Sequence, residues 1–446
     1  MARTTEQDKV RELQRTLYRA AKADPGRRFH ALYDKVYRRD VLERAWAQVR
    51  ANRGAPGIDR ITIAQIEQHG VDQLLDELAR DLKDGSYRPL AARRVFIPKP
   101  GRPDERRPLS IPSVRDRIVQ GALKIVIEPI FEADFLPCSF GFRPQKAAHD
   151  ALQVLVDEAW RGRRWVLESD IASCFEAIPH NRLMSAIEER IVDRQVLKLL
   201  RSLLRAGVME DGTVRRPVSG TPQGGVISPL LANVYLHRLD RAWQARGSGV
   251  LVRYADDLVV MCRTRPEADR ALAALIDLLA ELGLEPRPDK TRIVHLAEGG
   301  EGIDFLGFHH RWVRASRQGA RHVTFLARWP SQGATGRLRE RVRDVTAHHK
   351  LHLSPGEIAQ ELNRLLRGWA GYFRYGNSAR VFDKIQHYVR SRLALFIARR
   401  YRRSRGLGWG AVVHQSLGRL DLFDLNGTVI APRPGRPWWG SSECRR

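Results

Sequence analysis

The chain has 446 residues, 43% of them hydrophobic and 29% charged, with a net charge of +26. A chain of that length buries a large core and predicts two or three domains, and its basic excess points to a polyanionic partner, either nucleic acid or an anionic membrane surface. No apolar run approaches the ~18 residues of a membrane-spanning helix, four cysteines without a close pair argue against a disulfide framework or zinc knuckle, and Glu6, Asp8 and Glu12 argue against a secretion signal, so a cytoplasmic protein is expected.

In chain order, residues 5–21 place Val10, Leu13, Leu17 and Ala21 on one face, which predicts an amphipathic helix. Helices follow over 40–51 and 71–83, separated by the loop 52–57. The segment 99–108 is too rich in Pro and charge for a strand centre and fits a hairpin tip. Further helices are expected over 114–128, 144–160, 180–204, 229–244 and 266–282. They interleave with short apolar strands, a pattern that gives an α+β fold with an antiparallel sheet backed by helices. Residues 311–334, with Gly319, Pro330 and Gly333, read as a connector. Ser354-Pro355-Gly356-Glu357 combines a cap, a first-turn Pro and a Glu three residues on, and so starts a helix. Another helix is expected over 378–403. The last third, residues 311–446, holds 27 Lys and Arg against 8 Asp and Glu, a net +19, which leaves +7 for the first 310 residues.

Two acids mark the centre of the chain. Tyr254-Ala255-Asp256-Asp257 lies between Val250-Leu251-Val252 and Leu258-Val259-Val260-Met261, a hairpin whose turn carries the carboxylates. Asp is a common turn residue, so the pair alone is either a metal site or a solvated turn. A third acid, Asp170, ends the apolar strand Trp165–Ser169 and shifts the balance. Carboxylates from two strands together with substrate phosphates make up the usual shell of Mg²⁺. Two such ions ~3.5–4 Å apart clamp the attacking and leaving oxygens of phosphoryl transfer, which is polymerase chemistry.

At this point the chain resembles the group II intron reverse transcriptases, or maturases. The likeness runs in order from about Arg93 to Trp409. Arg93 to Lys99 and Arg107 to Pro112 are similar to the fingers strands, and Phe140-Gly141-Phe142-Arg143-Pro144 to an extra fingers segment. Asp170 to Phe175 resembles the first-aspartate motif, Ser219 to Gly225 the template and nucleotide loop, and Tyr254 to Asp257 the YxDD hairpin. Gly283-Leu284-Glu285, Lys290-Thr291 and Phe305-Leu306-Gly307-Phe308 are similar to the palm's closing elements, and Arg367-Gly368-Trp369-Ala370-Gly371-Tyr372-Phe373 to the intron-binding thumb. The resemblance implies a right-hand polymerase with fingers and palm followed by an α-helical thumb. It divides the chain into an N-terminal extension (1–90), fingers and palm (91–310), connector (311–334), thumb or maturase domain (335–410) and a basic tail (411–446). Only 36 residues follow Gly410, too few for the endonuclease domain many members carry, so target cleavage is not expected.

Roles follow from chemistry and resemblance together. Asp170 and Asp256 are expected to bind two Mg²⁺ ions, with Asp257 and Ile171 completing the metal site. Asp257 is the weakest ligand of the set, because adjacent side chains at a turn seldom point the same way. Arg93, Lys99 and Arg107 sit on basic strands and suit triphosphate oxygens, the competing reading being solvated surface charge. Phe175 is either a buried core ring or a gate that would collide with a ribose 2′-OH. Gln223 and Gly224 offer an amide and a close-approaching backbone to the base pair, or form a plain tight turn. Lys290 contacts the triphosphate or sits on the surface.

In the last third, Arg364, Arg367, Trp369, Arg374 and Arg380 combine rings with guanidinium groups, a pattern that grips structured RNA. The rings are expected to be mostly core and the arginines mostly RNA-facing. The expected activity is RNA-directed DNA synthesis coupled to intron splicing and retromobility. The partners are intron RNA, an RNA template with a DNA primer, and deoxynucleoside triphosphates, with no membrane. The alternatives are a splicing factor with a dead palm, a domesticated or defence-associated reverse transcriptase, and an RNA-dependent RNA polymerase; Phe175 and Tyr254 disfavour the last.

Overall fold

The computed structural model describes residues 6–99, 102–210, 213–215, 219–220, 224–315, 323–402 and 421–436. Gln223, the Lys99 side chain and most of the 411–446 tail lie outside them. The strands, in chain order, are β1 Ala92–Lys99, β2 Arg102–Ile111, β3 Trp165–Asp170, β4 Val208–Glu210, β5 Thr213–Arg215, β6 Val250–Tyr254, β7 Asp257–Cys262, β8 Arg292–His295, β9 Ile303–Phe305, β10 Phe308–Arg314 and β11 Thr324–Pro330. They form three sheets, ordered β2-β1-β4-β5, β6-β7-β3-β8 and β11-β10-β9.

The middle sheet is antiparallel throughout and both of its faces are covered. Alternation along each strand divides its side chains between two cores. Leu167, Leu251, Leu258 and Val260 join the larger, N-terminal core, whereas Val166, Val252, Val259 and Met261 join a second core shared with the C-terminal helices. The acid-bearing strand ends therefore stand on a sheet gripped from both sides. The Val114–Glu132 helix is apolar nearly all round because it runs through the middle of the larger core, and Ser113 caps it by accepting from the Asp116 N–H. Ser354 and Glu357 form the expected reciprocal capping box of the Pro355–Phe373 helix.

Three expectations change. The 99–108 segment is largely strand: β2 begins at Arg102 and pairs with β1 as far as Ile111. Its prolines are tolerated because β2 is a sheet edge, where a missing N–H leaves no ladder bond unmade. The 180–204 helix is two, His180–Glu188 and Arg194–Arg205, because Asp193 turns the chain and caps the second by accepting from the Gln195 and Val196 N–H groups. The 311–334 segment holds most of a hairpin, β10 paired with β11 from Phe308↔Pro330 to Arg314↔Thr324, rather than a loose connector. Glycine and proline at its ends masked the alternation Trp312, Leu326 and Phe308 provide.

The N-terminal segment docks on residues far along the chain. The Phe29 N–H donates to the Arg190 carbonyl at 2.8 Å and the Val192 N–H to the Phe29 carbonyl at 2.9 Å. One Asp193 carboxylate oxygen accepts from the Leu32 and Tyr33 N–H groups, both at 2.8 Å. At the other end, Tyr372 joins the C-terminal helices to the sheet core, its hydroxyl donating to the Leu306 carbonyl at 2.9 Å while its own carbonyl meets His149 Nε2 at 2.7 Å.

Candidate active site

Strands β6 and β7 pair Tyr254 with Asp257, so Ala255 and Asp256 alone make the turn. Asp256 occupies the turn, while Asp257 is the first residue of β7 and lies directly opposite Asp170, the last residue of β3. Opposed residues of an antiparallel pair present their side chains to the same face. The sheet thus brings all three acids to one end, with Ile171 beside them donating its N–H to the Asp256 carbonyl at 3.3 Å.

Ala255 has φ +59°, a left-handed backbone that costs a non-glycine residue ~1–2 kcal/mol. It is held there by neighbours. A Cβ on Gly141 would lie 2.4 Å from the Ala255 nitrogen, so this glycine is needed for the 138–142 segment to lie against the turn. That segment adds to the open edge of β6 by parallel bridging of Ser139 to Arg253.

Three carboxylates at close quarters resist ionising together. Burial, then the charges of Asp256 and Asp170, push Asp257 up to about 7. Burial and Asp170 raise Asp256 as well. Two cations oppose them: Lys290 Nζ lies 2.6 Å from Asp170 Oδ2, and an Arg287 Nη lies 3.7 Å from the same oxygen. Among the described residues no three His, Cys, Asp or Glu side chains form a ready-made ion cage. Mg²⁺ does not need one, since it commonly takes one or two carboxylates and completes its shell with water and substrate phosphates. The donor chemistry, all hard oxygen and already facing cationic groups, fits such an ion.

The nucleotide-side residues are placed unevenly. Phe175 lies on the short Cys174–Ala177 helix, half-buried against the larger core. The 219–220 strand bridge packs on its backbone: a Cβ on Gly220 would lie 2.9 Å from the Glu176 carbonyl oxygen. Gly224, at φ +107°, is pressed against β2, where a Cβ would lie 2.4 Å from the Ser110 carbonyl oxygen. Arg93 is committed elsewhere, its guanidinium donating to the Pro56 carbonyl at 2.8 Å, whereas Arg107 is exposed on β2. Burial pushes the Cys174 thiol beside the site up to about 12, which leaves it no nucleophilic role.

In the C-terminal helices the rings are core and the charges line the outside. Trp369 stacks at a tilt on Phe373 and Phe382, with centroids 4.9 and 5.1 Å away. Arg364, Arg367 and Arg380 are exposed, and Arg374 lies over the Tyr375 ring. Arg364 shares with Arg337, Arg341, Leu365 and Trp369 a groove of about 720 Å³ between the Gln332–Val345 and Pro355–Phe373 helices.

Sequence reasoning missed Arg287 and the polar group behind the turn, Arg253, Asp240, Asn233 and Ser139. Arg253 carried a visible signal, a lone charge at the end of Val250-Leu251-Val252 where an apolar residue continues the pattern.

Known proteins resemble this chain over the regions that hold these residues. Residues 97–310 match the reverse transcriptase (RNA-dependent DNA polymerase) family and residues 335–412 the group II intron maturase-specific domain. Protein YkfC of Escherichia coli is 34% identical over 356 residues, 70% of this chain and 91% of that protein. The chain belongs to the group II intron reverse transcriptase–maturase family. The group II intron-encoded protein LtrA of Lactococcus lactis is 38% identical over 215 residues, 48% of this chain but 35% of LtrA. Nuclear intron maturase 2 of Arabidopsis thaliana is 27% identical over 218 residues, 40% of this chain and 29% of that protein. Membership makes the chain an RNA-directed DNA polymerase with a maturase domain, dependent on a divalent metal. No helix among the described residues is long and apolar enough to cross a membrane.

Proposed function

We propose that Asp170, Asp256 and Asp257 hold two Mg²⁺ ions and that this chain extends a DNA primer on an RNA template with deoxynucleoside triphosphates. The observation that carries the reading is the meeting of three acids from β3 and the β6–β7 turn at one end of one sheet. When bound, the ions supply charge stabilisation for an in-line phosphoryl displacement. Lys290 keeps the Asp170 carboxylate neutralised and, half exposed at its side chain, lies within reach of an arriving triphosphate. Phe175, beside the Gly220 loop, stands under the incoming sugar and rejects a 2′-OH. Arg107 and Gly224 face the nucleotide from β2 and its contact loop, while Arg93 acts at one remove by fixing β1 to the 52–57 loop.

In this reading residues 91–310 are fingers and palm, residues 335–410 are the thumb, and Arg364, Arg367, Trp369, Arg374 and Arg380 belong to the intron-RNA surface that supports splicing. Asp170→Asn tests the polymerase assignment. The variant should fold and lose primer extension on RNA by several orders of magnitude, since a misplaced ion removes several kcal/mol of transition-state stabilisation. Extension at the wild-type rate in Mg²⁺ overturns it.

A further inference from the structure

Arg253 and Asp240 are both fully buried, their side chains 0% exposed. Nε and one Nη of Arg253 grip the two Asp240 oxygens at 2.7 and 2.6 Å. The remaining N–H groups are also used: one Nη donates to Asn233 Oδ1 at 3.0 Å and to the Ala255 carbonyl at 3.1 Å, the other to Ser139 Oγ at 2.8 Å. All five donors of the guanidinium are satisfied.

A buried ion pair of this kind is a poor device for stability. Desolvation offsets most of its attraction, and apolar replacements of similar volume are often neutral or stabilising. What the arrangement does achieve is geometric. The Ala255 carbonyl belongs to the peptide that leads into Asp256, and its residue is in a left-handed conformation it would not adopt alone. Arg253 fixes that carbonyl from below. Asn233 extends the hold, its Nδ2 donating to the Gly141 carbonyl at 2.8 Å, and Gly141 in turn lies against the Ala255 nitrogen. Asn233 and Asp240, seven residues and so about two turns apart, project from the same face of the Ser228–Arg246 helix. The second turn carbonyl, that of Asp256, is taken by the Ile171 N–H next to Asp170. Both peptides flanking Asp256 are therefore clamped, one to β3 and one to Arg253.

We infer that Arg253, held by Asp240 and Asn233, is a positioning residue that aims the Asp256 carboxylate at its metal ion. The inference rests on the reading of Asp256 as a metal-binding acid. Rotation of the 255–256 peptide swings the Asp256 side chain off the line shared with Asp170, and neither fold nor nucleotide site need change with it. Outer partners of metal ligands typically contribute ~10–100-fold in metal affinity.

Two variants test this. Arg253→Lys keeps a charge opposite Asp240 but loses the fork that reaches Ala255. Arg253→Met with Asp240→Leu removes both charges together, so no buried ion is stranded if the single variant fails to fold. For each, the thermal midpoint is measured without metal. Mn²⁺ binding is followed by electron paramagnetic resonance on a dideoxy-terminated primer–template complex, where no turnover occurs, and the Mg²⁺ dependence of extension is measured at saturating nucleotide. The expected result is a folded protein with Mn²⁺ affinity and half-saturating Mg²⁺ both weakened about tenfold or more, and with KM for nucleotide within about twofold of wild type. Wild-type metal affinity in a folded form of either variant overturns the inference and reduces the group to packing. Asp256→Asn is run beside them. If Asp256→Asn also binds Mn²⁺ and extends primers normally, the metal-site reading itself has failed; if it is inactive while the Arg253 variants are normal, only the positioning role has.

Discussion

Asp170 and Asp257 stand directly opposite one another across the β3–β7 ladder, and Lys290 reaches Asp170 at 2.6 Å. Like charges directly opposed on adjacent strands destabilise a sheet. The protein keeps this pair at one end of its central sheet, so the cost is built into the fold, and a cation bound between the two would relieve it.

That cost has a pH signature. The Asp257 carboxyl ordinarily titrates at 3.8 and in the fold is held up to about 7. Between those values the folded state binds more protons than the unfolded chain, so this group's contribution to stability is present at acid pH and is lost as pH rises to about 7. Asp257→Asn removes the penalty. Without metal, the variant's thermal midpoint should exceed wild type at pH 8 and match it closely at pH 4, and Mg²⁺ should narrow the difference at pH 8. A constant difference across this range would show that the substitution acts by packing.

The sugar gate is tested at Phe175. Its ring is only partly buried against the core, and the Gly220 loop lies on the backbone of its helix, so Phe175→Val should cost some stability while opening space beside the incoming sugar. The ratio of ribonucleotide to deoxyribonucleotide incorporation efficiency should rise by at least tenfold, about 1.4 kcal/mol of discrimination. An unchanged ratio would leave Phe175 as a core residue alone.

The basic surface predicts a separation of activities. Replacing Arg364, Arg367, Arg374 and Arg380 together with Gln should weaken intron binding and flatten its salt dependence, by roughly one unit or slightly less in the log–log slope for each phosphate no longer neutralised. Extension on a short unstructured template should survive. Asp170→Ala should show the opposite pattern, with splicing assistance kept and synthesis gone; equal loss of both activities in both proteins would end the division of labour.

Gly141→Ala probes the packing behind the acid turn. Its new Cβ would lie 2.4 Å from backbone, which cannot yield as a flexible side chain would. Overpacking of this kind costs about 1–3 kcal/mol. A lowered thermal midpoint with a larger proportional fall in extension is expected. Gly336→Ala, inside the Gln332–Val345 helix where nothing lies within 4 Å, is the control: it should raise the midpoint slightly, as alanine does in a helix interior, and leave extension unchanged.

Local signals made much of this legible in the sequence. The acid hairpin, the strand ending in Asp170 and the capped helix at Ser354 depend on neighbouring residues, and the sequence carries their cues directly. What stayed hidden is non-local. Nothing near Lys290 announces that it closes on Asp170, 120 positions earlier, with Arg287 beside it. Nothing near Asp240 announces Arg253 across a helix-to-strand turn. The β10–β11 pair hid for a different reason, since Gly319, Pro330 and Gly333 carry loop signals that outweigh the alternation of its strands.

The clasp between Phe29 and residues 190–193 also bears on how the protein is made. The first 36 residues leave the ribosome long before their docking partner exists, because Arg190, Val192 and Asp193 are encoded some 160 residues downstream. At ~5–20 residues per second that interval is roughly 10–30 s. Until the Val114–Glu132 helix on which it mainly packs has been made, the apolar stripe of Val10, Leu17 and Ala21 lacks most of its final cover, so production of this enzyme should respond to translation speed and to the supply of chaperones that bind nascent chains.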